Sequence, residues 1–159
     1  MDRNADLREH IARLLRGGQA YDTFEAIVGD FPADRRGHVP NGVEHSAWQI
    51  VEHMRIAQRD ILDFIRNDDG SYREMKWPEE YWPAAAMPPD PGAWDGSVAA
   101  YLTDRGTMEA LALDEKTDLF TPFPWGDGQT VLREALLTAE HAAYHLGQIV
   151  ILRELLGAI

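Results

Sequence analysis

Four segments of this 159-residue chain carry apolar side chains at helical spacing, and no segment has a convincing strand pattern. The four segments cover about 6–28, 46–66, 92–113 and 130–157. Apolar residues that recur every three or four positions form a stripe along one face of an α-helix, and that stripe must be buried against another element. The sequence therefore predicts an all-α fold, a four-helix bundle that forms one domain over residues 1–159.

Local signals mark where these helices begin and where one of them is interrupted. Ser46 is followed three residues later by Gln49, a capping-box spacing in which each side chain satisfies an exposed backbone donor at the start of a helix. Thr130 has the character of an N-cap for the fourth helix. Gly17 and Gly18 interrupt the first segment, and this predicts a bend or a close approach of another backbone.

The connection between the second and third helices is long and unusual in composition. Residues 67–92 contain five of the nine prolines and the aromatic run at 77–83, and a shorter aromatic segment follows at 119–128. Long loops are functional or disordered, and large aromatic side chains argue against disorder. We expect the long loop to pack over one end of the domain. Its tryptophans are more often structural caps than parts of a binding site, although a rim above a metal serves as both.

Composition excludes several classes of function. The absence of cysteine rules out disulfides, thiolate metal ligands and a cysteine nucleophile. The formal net charge of −12 repels a phosphate backbone, so no nucleic-acid partner is expected. The charged amino terminus lacks an apolar signal core, and no apolar run approaches membrane-spanning length. We expect a cytoplasmic protein with no membrane partner.

Three histidines fall on helical stripes that are predicted to face the core. His141 and His145 are separated by one helical turn on the fourth helix, so both imidazoles point the same way and can share one metal ion. His53 shares its stripe on the second helix with Ile50 and Ala57. Because unpartnered polar groups in an apolar interior cost free energy, we predict that the three imidazoles bind one divalent cation.

This ligand set restricts the metal and leaves room for chemistry. Three imidazoles suit zinc or nickel, the metals that we expect, and also iron(II) or copper(II). Three protein ligands leave coordination positions for water or substrate, which is typical of catalytic sites. Oxygens of Gln148, Asp60 or Glu140 are candidates to accept an imidazole N–H and fix its tautomer.

Other interpretations of the histidines remain open. His10, His38 and His45 lie beside charged or loop residues and are predicted to be exposed. His45 is the main competitor as third ligand, but it lies ahead of the Ser46 cap and is the weaker choice. A bundle without metal, in which the histidines only form hydrogen bonds in the core, is the remaining alternative.

The segments 48–62, 77–83 and 141–148 resemble the DinB-like (DNA-damage-inducible) superfamily of metal-binding four-helix proteins. The resemblance implies metal ligation by His53, His141 and His145. It also implies a homodimer and a thiol-dependent transferase or isomerase activity, in which the metal activates a low-molecular-weight thiol. The name of the family reflects induction by damage and implies no DNA binding.

Two functions follow from these observations. The first is a metal-dependent enzyme, a transferase or hydrolase that activates water or a small thiol, with a small-molecule thiol or electrophile as its partner. The second is a noncatalytic metal-binding module that acts in a stress response or by dimerising with another chain. A fourth protein ligand and a closed site would indicate the second function.

Overall fold

The computed structural model describes residues 3–158 and contains five α-helices. They are α1 (Arg3–Arg16), α2 (Phe24–Val28), α3 (Ala47–Ile65), α4 (Ala93–Leu113) and α5 (Val131–Leu155). Two short 3-10 helices, Ala33–Arg35 and Asn67–Asp69, lie in the connections. The described range contains no strand, so the predicted all-α class is confirmed. None of its helices is long and apolar enough to cross a membrane.

The predicted caps are present at the starts of α3 and α5. The Ser46 hydroxyl accepts a hydrogen bond from the backbone N–H of Gln49 at 3.2 Å, and the Gln49 side chain accepts one from the backbone N–H of Ser46 at 3.1 Å. Thr130 accepts from the backbone N–H of Arg133 at 3.1 Å. These bonds satisfy backbone donors that would otherwise lack a partner and so fix where both helices begin.

The first predicted helix is two helices, because the chain changes direction after α1. Gly17 and Gly18 both have φ of +74°. This left-handed conformation is accessible to glycine without the steric cost that a side chain would add, and it is incompatible with a continuing right-handed helix. The break expected at Gly17 and Gly18 is present, but it is complete: the apolar stripe over 6–28 is divided between two helices, α1 and α2, where one interrupted helix was expected.

The four longer helices pack against one another and enclose two apolar clusters. α4 contacts α3 and α1, and α5 contacts α3 and α1. One cluster includes Phe24, Trp48, Met54, Trp94 and Ile149. The other includes Ile11, Leu62, Met108, Leu119 and Val131. Full burial of each such side chain contributes about 1.5–3 kcal/mol relative to exposure, so these clusters are the main source of stability.

The long connection between α3 and α4 lies against α3. The Ser46 hydroxyl donates to the carbonyl of Ala86 at 2.6 Å, and the Gln49 amide donates to the carbonyl of Pro83 at 3.1 Å. The residues that cap α3 therefore also hold the loop. This attachment places the aromatic residues of the loop beside the middle of α3.

Candidate metal centre

The fold brings His53 of α3 together with His141 and His145 of α5. One ligand nitrogen from each residue lies within 4.8 Å of the other two, and together they could hold a metal ion. The closest pair is Nε2 of His53 and Nε2 of His141, at 3.0 Å. His53 is 2% exposed and His145 is 4% exposed. The inward orientation expected from the helical stripes is confirmed for these two residues, and His141 is partly buried beside them.

The orientation of His53 is set by the long loop. Its Nδ1 donates to the backbone carbonyl of Tyr81 at 3.0 Å. With the proton on Nδ1, the lone pair of Nε2 is directed towards His141. The group that fixes the tautomer of His53 is therefore a backbone carbonyl, whereas a side-chain oxygen was predicted from the sequence.

His145 is oriented from within its own helix. Its Nδ1 donates to the side-chain oxygen of Gln148 at 2.7 Å, and the amide of Gln148 donates to the hydroxyl of Tyr144 at 3.3 Å. Of the three candidate oxygens, Gln148 is the one that contacts an imidazole. Glu140 is exposed on α5.

Asp60 is linked to His53 through Tyr81. Its two carboxylate oxygens accept hydrogen bonds from the hydroxyls of Tyr72, at 3.1 Å, and Tyr81, at 2.6 Å. Since the carbonyl of Tyr81 accepts from His53, Asp60 holds the residue that orients the imidazole. Desolvation by burial and the negative charge of Asp60 raise the pKa of both tyrosines, so both remain protonated donors.

The environment keeps the histidines neutral. Burial, together with the neighbouring imidazoles, lowers the pKa of His53 to about 4 and that of His141 to about 3. Burial also lowers the pKa of His145, against a smaller opposing effect of Gln148. Neutral imidazole is the form that offers a lone pair to a metal, so the site is ready for ligation at neutral pH.

Trp82 packs between two histidines. Its ring stacks on His53 with centroids 3.8 Å apart and planes 5° apart, and on His45 with centroids 3.9 Å apart and planes 20° apart. His45 is therefore half-buried on the far side of the indole, where an exposed residue was expected. It does not belong to the group of converging ligand atoms found among the described residues.

A cavity of about 1190 Å³ adjoins the three histidines, all of which line it. Apolar walls come from both helices and from the loop, including Ile61, Leu137 and Trp82. Trp77 and Tyr144 also line the cavity and are 66% and 64% exposed, so the cavity reaches the surface. The sequence contained no signal for this volume, because it depends on the path of the loop.

The donor set fits a divalent metal. Three neutral imidazoles, two buried and one partly buried, bring ligand nitrogens together, and two of them are held by hydrogen bonds from their second nitrogen. Tetrahedral zinc sites with three protein nitrogens use this pattern of direct ligands supported by outer hydrogen bonds. Without a metal, Nε2 of His141 carries the proton and donates a hydrogen bond to the lone pair on Nε2 of His53.

Comparisons with known proteins agree with this geometry at the level of the family. No curated protein and no solved structure matches the chain. The family model described as the DinB superfamily matches residues 18–149, a range that includes all three histidines and both aromatic loops. The match covers most of the sequence, and the chain belongs to the DinB superfamily.

Proposed function

We propose that the protein binds a divalent metal through His53, His141 and His145 and acts as a metal-dependent enzyme on a small molecule. The observation that carries the proposal is that three converging imidazoles lie in the wall of a surface-connected cavity. Zinc or nickel is the expected ion, with iron(II) and copper(II) as alternatives. In this proposal the four longer helices form a four-helix bundle, with the metal site between α3 and α5.

The ligand number favours an enzyme over a noncatalytic module. Among the described residues, the converging group contains three ligand residues and no fourth. Structural metal sites are closed by four protein ligands, whereas catalytic sites keep a position open. The open side here faces a cavity large enough for a substrate.

The reaction that fits is attack by water or a low-molecular-weight thiol on an electrophile. A divalent ion supplies Lewis acidity, which lowers the pKa of water or a thiol and makes it nucleophilic near neutral pH. In a transfer, the thiol proton passes to solvent, the sulfur bonds to the electrophilic carbon, and the leaving group departs with its bonding electrons. The Tyr81 carbonyl holds His53 in place and Gln148 holds His145.

A homodimer in the cytoplasm remains part of the proposal. Large apolar side chains are exposed along α5, namely Leu136, Ile151 and Leu155, and such residues are typical of helix–helix interfaces. Light scattering of the purified protein decides between monomer and dimer.

Metal content is the direct test. Protein purified without a histidine tag is incubated with zinc or nickel, passed over a desalting column and measured by inductively coupled plasma mass spectrometry. We expect about one ion per chain in the wild type and in the control variant His45→Ala, since a single three-histidine site binds one ion. The variant His141→Ala should retain none.

Turnover is tested with the loaded protein on a panel of thiols with alkylating electrophiles, and on simple esters and amides. Metal-dependent conversion that disappears in His141→Ala supports the enzyme. Stoichiometric metal without turnover of any of these compounds would instead favour the noncatalytic metal-binding module.

A further inference from the structure

The residues around the cavity beside the three histidines determine which charge a bound ligand can carry. Resting on the proposed function, we infer that it takes a small molecule whose part remote from the metal is apolar or aromatic and either uncharged or cationic. Compounds that carry a carboxylate or a phosphate on that part are excluded. The proposal concerns the tail of the ligand, because the metal itself attracts an anionic reacting group.

The described residues that line the cavity include no lysine and no arginine. The nearby arginines of α3 are directed to other partners. Arg55 pairs with Glu52 at 2.6 Å, and Arg59 pairs with Asp104 of α4. An anionic tail would therefore enter an apolar space without a counter-charge, which costs free energy.

The rim of the cavity is acidic. Glu44 and Glu79 line it, both are exposed, and neither forms a salt bridge with another described residue. The net charge of the whole chain, −12, has the same sign. Two unpaired carboxylates at the rim should separate cationic from anionic tails by roughly tenfold in affinity at moderate salt.

Trp77 provides a surface that suits such a tail. Both faces of Trp82 are covered by His45 and His53, whereas Trp77 is 66% exposed at the mouth and meets His53 only edge-on, with centroids 6.2 Å apart. The electron-rich face of an indole attracts aromatic rings and cations and offers nothing to an anion.

The test uses three phenylmethanethiols that share the thiol and the ring and differ at the para position: methyl, aminomethyl or carboxylate. The protein is loaded with cobalt(II), whose absorption reports thiolate ligation, and each dissociation constant is measured by titration. We expect the methyl and aminomethyl compounds to bind roughly tenfold more tightly than the carboxylate, and added salt to reduce the difference for the aminomethyl compound.

Paired variants assign the selectivity to the rim. The double variant Glu44→Gln with Glu79→Gln should bring the aminomethyl and carboxylate affinities closer together. The control is Glu115→Gln with Glu154→Gln, which changes net charge equally at exposed residues that do not line the cavity. An equal effect of both double variants, or equal or tighter binding of the carboxylate compound by the wild type, overturns the proposal.

A second measurement separates this inference from the proposed function. The metal-free protein is titrated with the corresponding para-substituted benzyl alcohols, and quenching of tryptophan fluorescence is recorded. The same order of affinities supports the charge selection even when the protein binds no cobalt, in which case only the proposed function fails. No preference, or no binding of any of the alcohols in the absence of cobalt binding, overturns the inference.

Discussion

The loop between α3 and α4 and the loop between α4 and α5 both contain several prolines and aromatic residues, but they contact different kinds of residue. In the second loop, the indole N–H of Trp125 donates to the carbonyl of Phe64 at 2.9 Å. Its ring stacks on Phe123 with centroids 5.3 Å apart, and Phe123 meets the ring of Phe64 edge-on. These contacts are aromatic or to backbone and contain no titratable side chain.

The first loop, between α3 and α4, contacts a proposed metal ligand, His53. It supplies the carbonyl that orients His53, covers that imidazole with Trp82, and leaves Trp77 exposed beside the cavity. The aromatic content of a loop therefore does not indicate its function. What distinguishes the loops is the group that each ring and each carbonyl contacts. The following substitutions should affect metal binding through the first loop and stability alone through the second.

Removal of a proposed ligand should have the largest effect. His53→Ala leaves two imidazoles and uncouples the first loop from the site, so metal affinity should fall by more than about 100-fold, beyond the effect typical of outer hydrogen-bond partners. Competition with a chromophoric chelator measures it. His45→Ala, on the other side of Trp82, is the matched control and should bind metal as the wild type does. Equal affinities of His53→Ala and wild type would contradict the proposed site.

Removal of the Trp125 ring from the second loop should lower stability without changing metal affinity. Trp125→Ala removes a half-buried ring and leaves the carbonyl of Phe64 without its donor, so the free energy of unfolding should fall by about 2 kcal/mol. Urea unfolding of the metal-free protein measures the loss. Metal affinity should change by less than about twofold, since no ligand contacts this loop. A large loss of affinity would mean that the two loops are not independent.

Weakening the anchor of the first loop should have an intermediate effect on the metal. Asp60→Asn removes the charged acceptor of the Tyr72 and Tyr81 hydroxyls, and so loosens the carbonyl that holds His53. We expect about tenfold weaker metal binding, the range seen for outer hydrogen-bond partners of ligands. Asp63→Asn, an exposed residue on the same helix, is the control. If both variants bind metal equally well, the loop does not position His53 through Asp60.

Much of this arrangement could be predicted from the sequence, because it depends on local periodicity. The spacing of His141 and His145 places them on one helical face in any context, and the capping box fixes the start of α3, which sets the face that carries His53. The family resemblance agreed with the same three residues, and the match to the DinB superfamily confirms that resemblance.

The rest depends on tertiary contacts that leave no pattern in the sequence. The partner of His53 is the backbone carbonyl of Tyr81, and backbone carbonyls are the same at every residue, so its identity depends on the path of the loop. The stacking of His45 on Trp82 joins residues far apart in the chain. Asp60 was expected near an imidazole but satisfies two tyrosine hydroxyls, which side-chain chemistry alone could not distinguish.

The smallest expected change is the contribution of a single histidine to the pH dependence of stability. In the unfolded chain histidine titrates near its usual pKa of about 6.5. Burial lowers the pKa of His53 to about 4 and of His141 to about 3 in the fold, so the folded protein keeps both neutral. As the pH falls below about 6.5 the unfolded chain gains protons that the fold does not accept, and stability decreases, by about 1.4 kcal/mol per histidine at pH 5.5.

Urea unfolding at pH 7.5 and 5.5, with a chelator present, measures this loss. His141→Gln should lose less stability than the wild type over that interval, because one of the neutral imidazoles is gone, while the carboxylates contribute equally to both proteins. Trp125→Ala should keep the full pH dependence although it starts from a lower stability, since the second loop contacts no histidine. An identical pH dependence for His141→Gln and wild type would show that His141 titrates alike in the folded and unfolded chains, and the two loops would then differ only in their effect on metal binding.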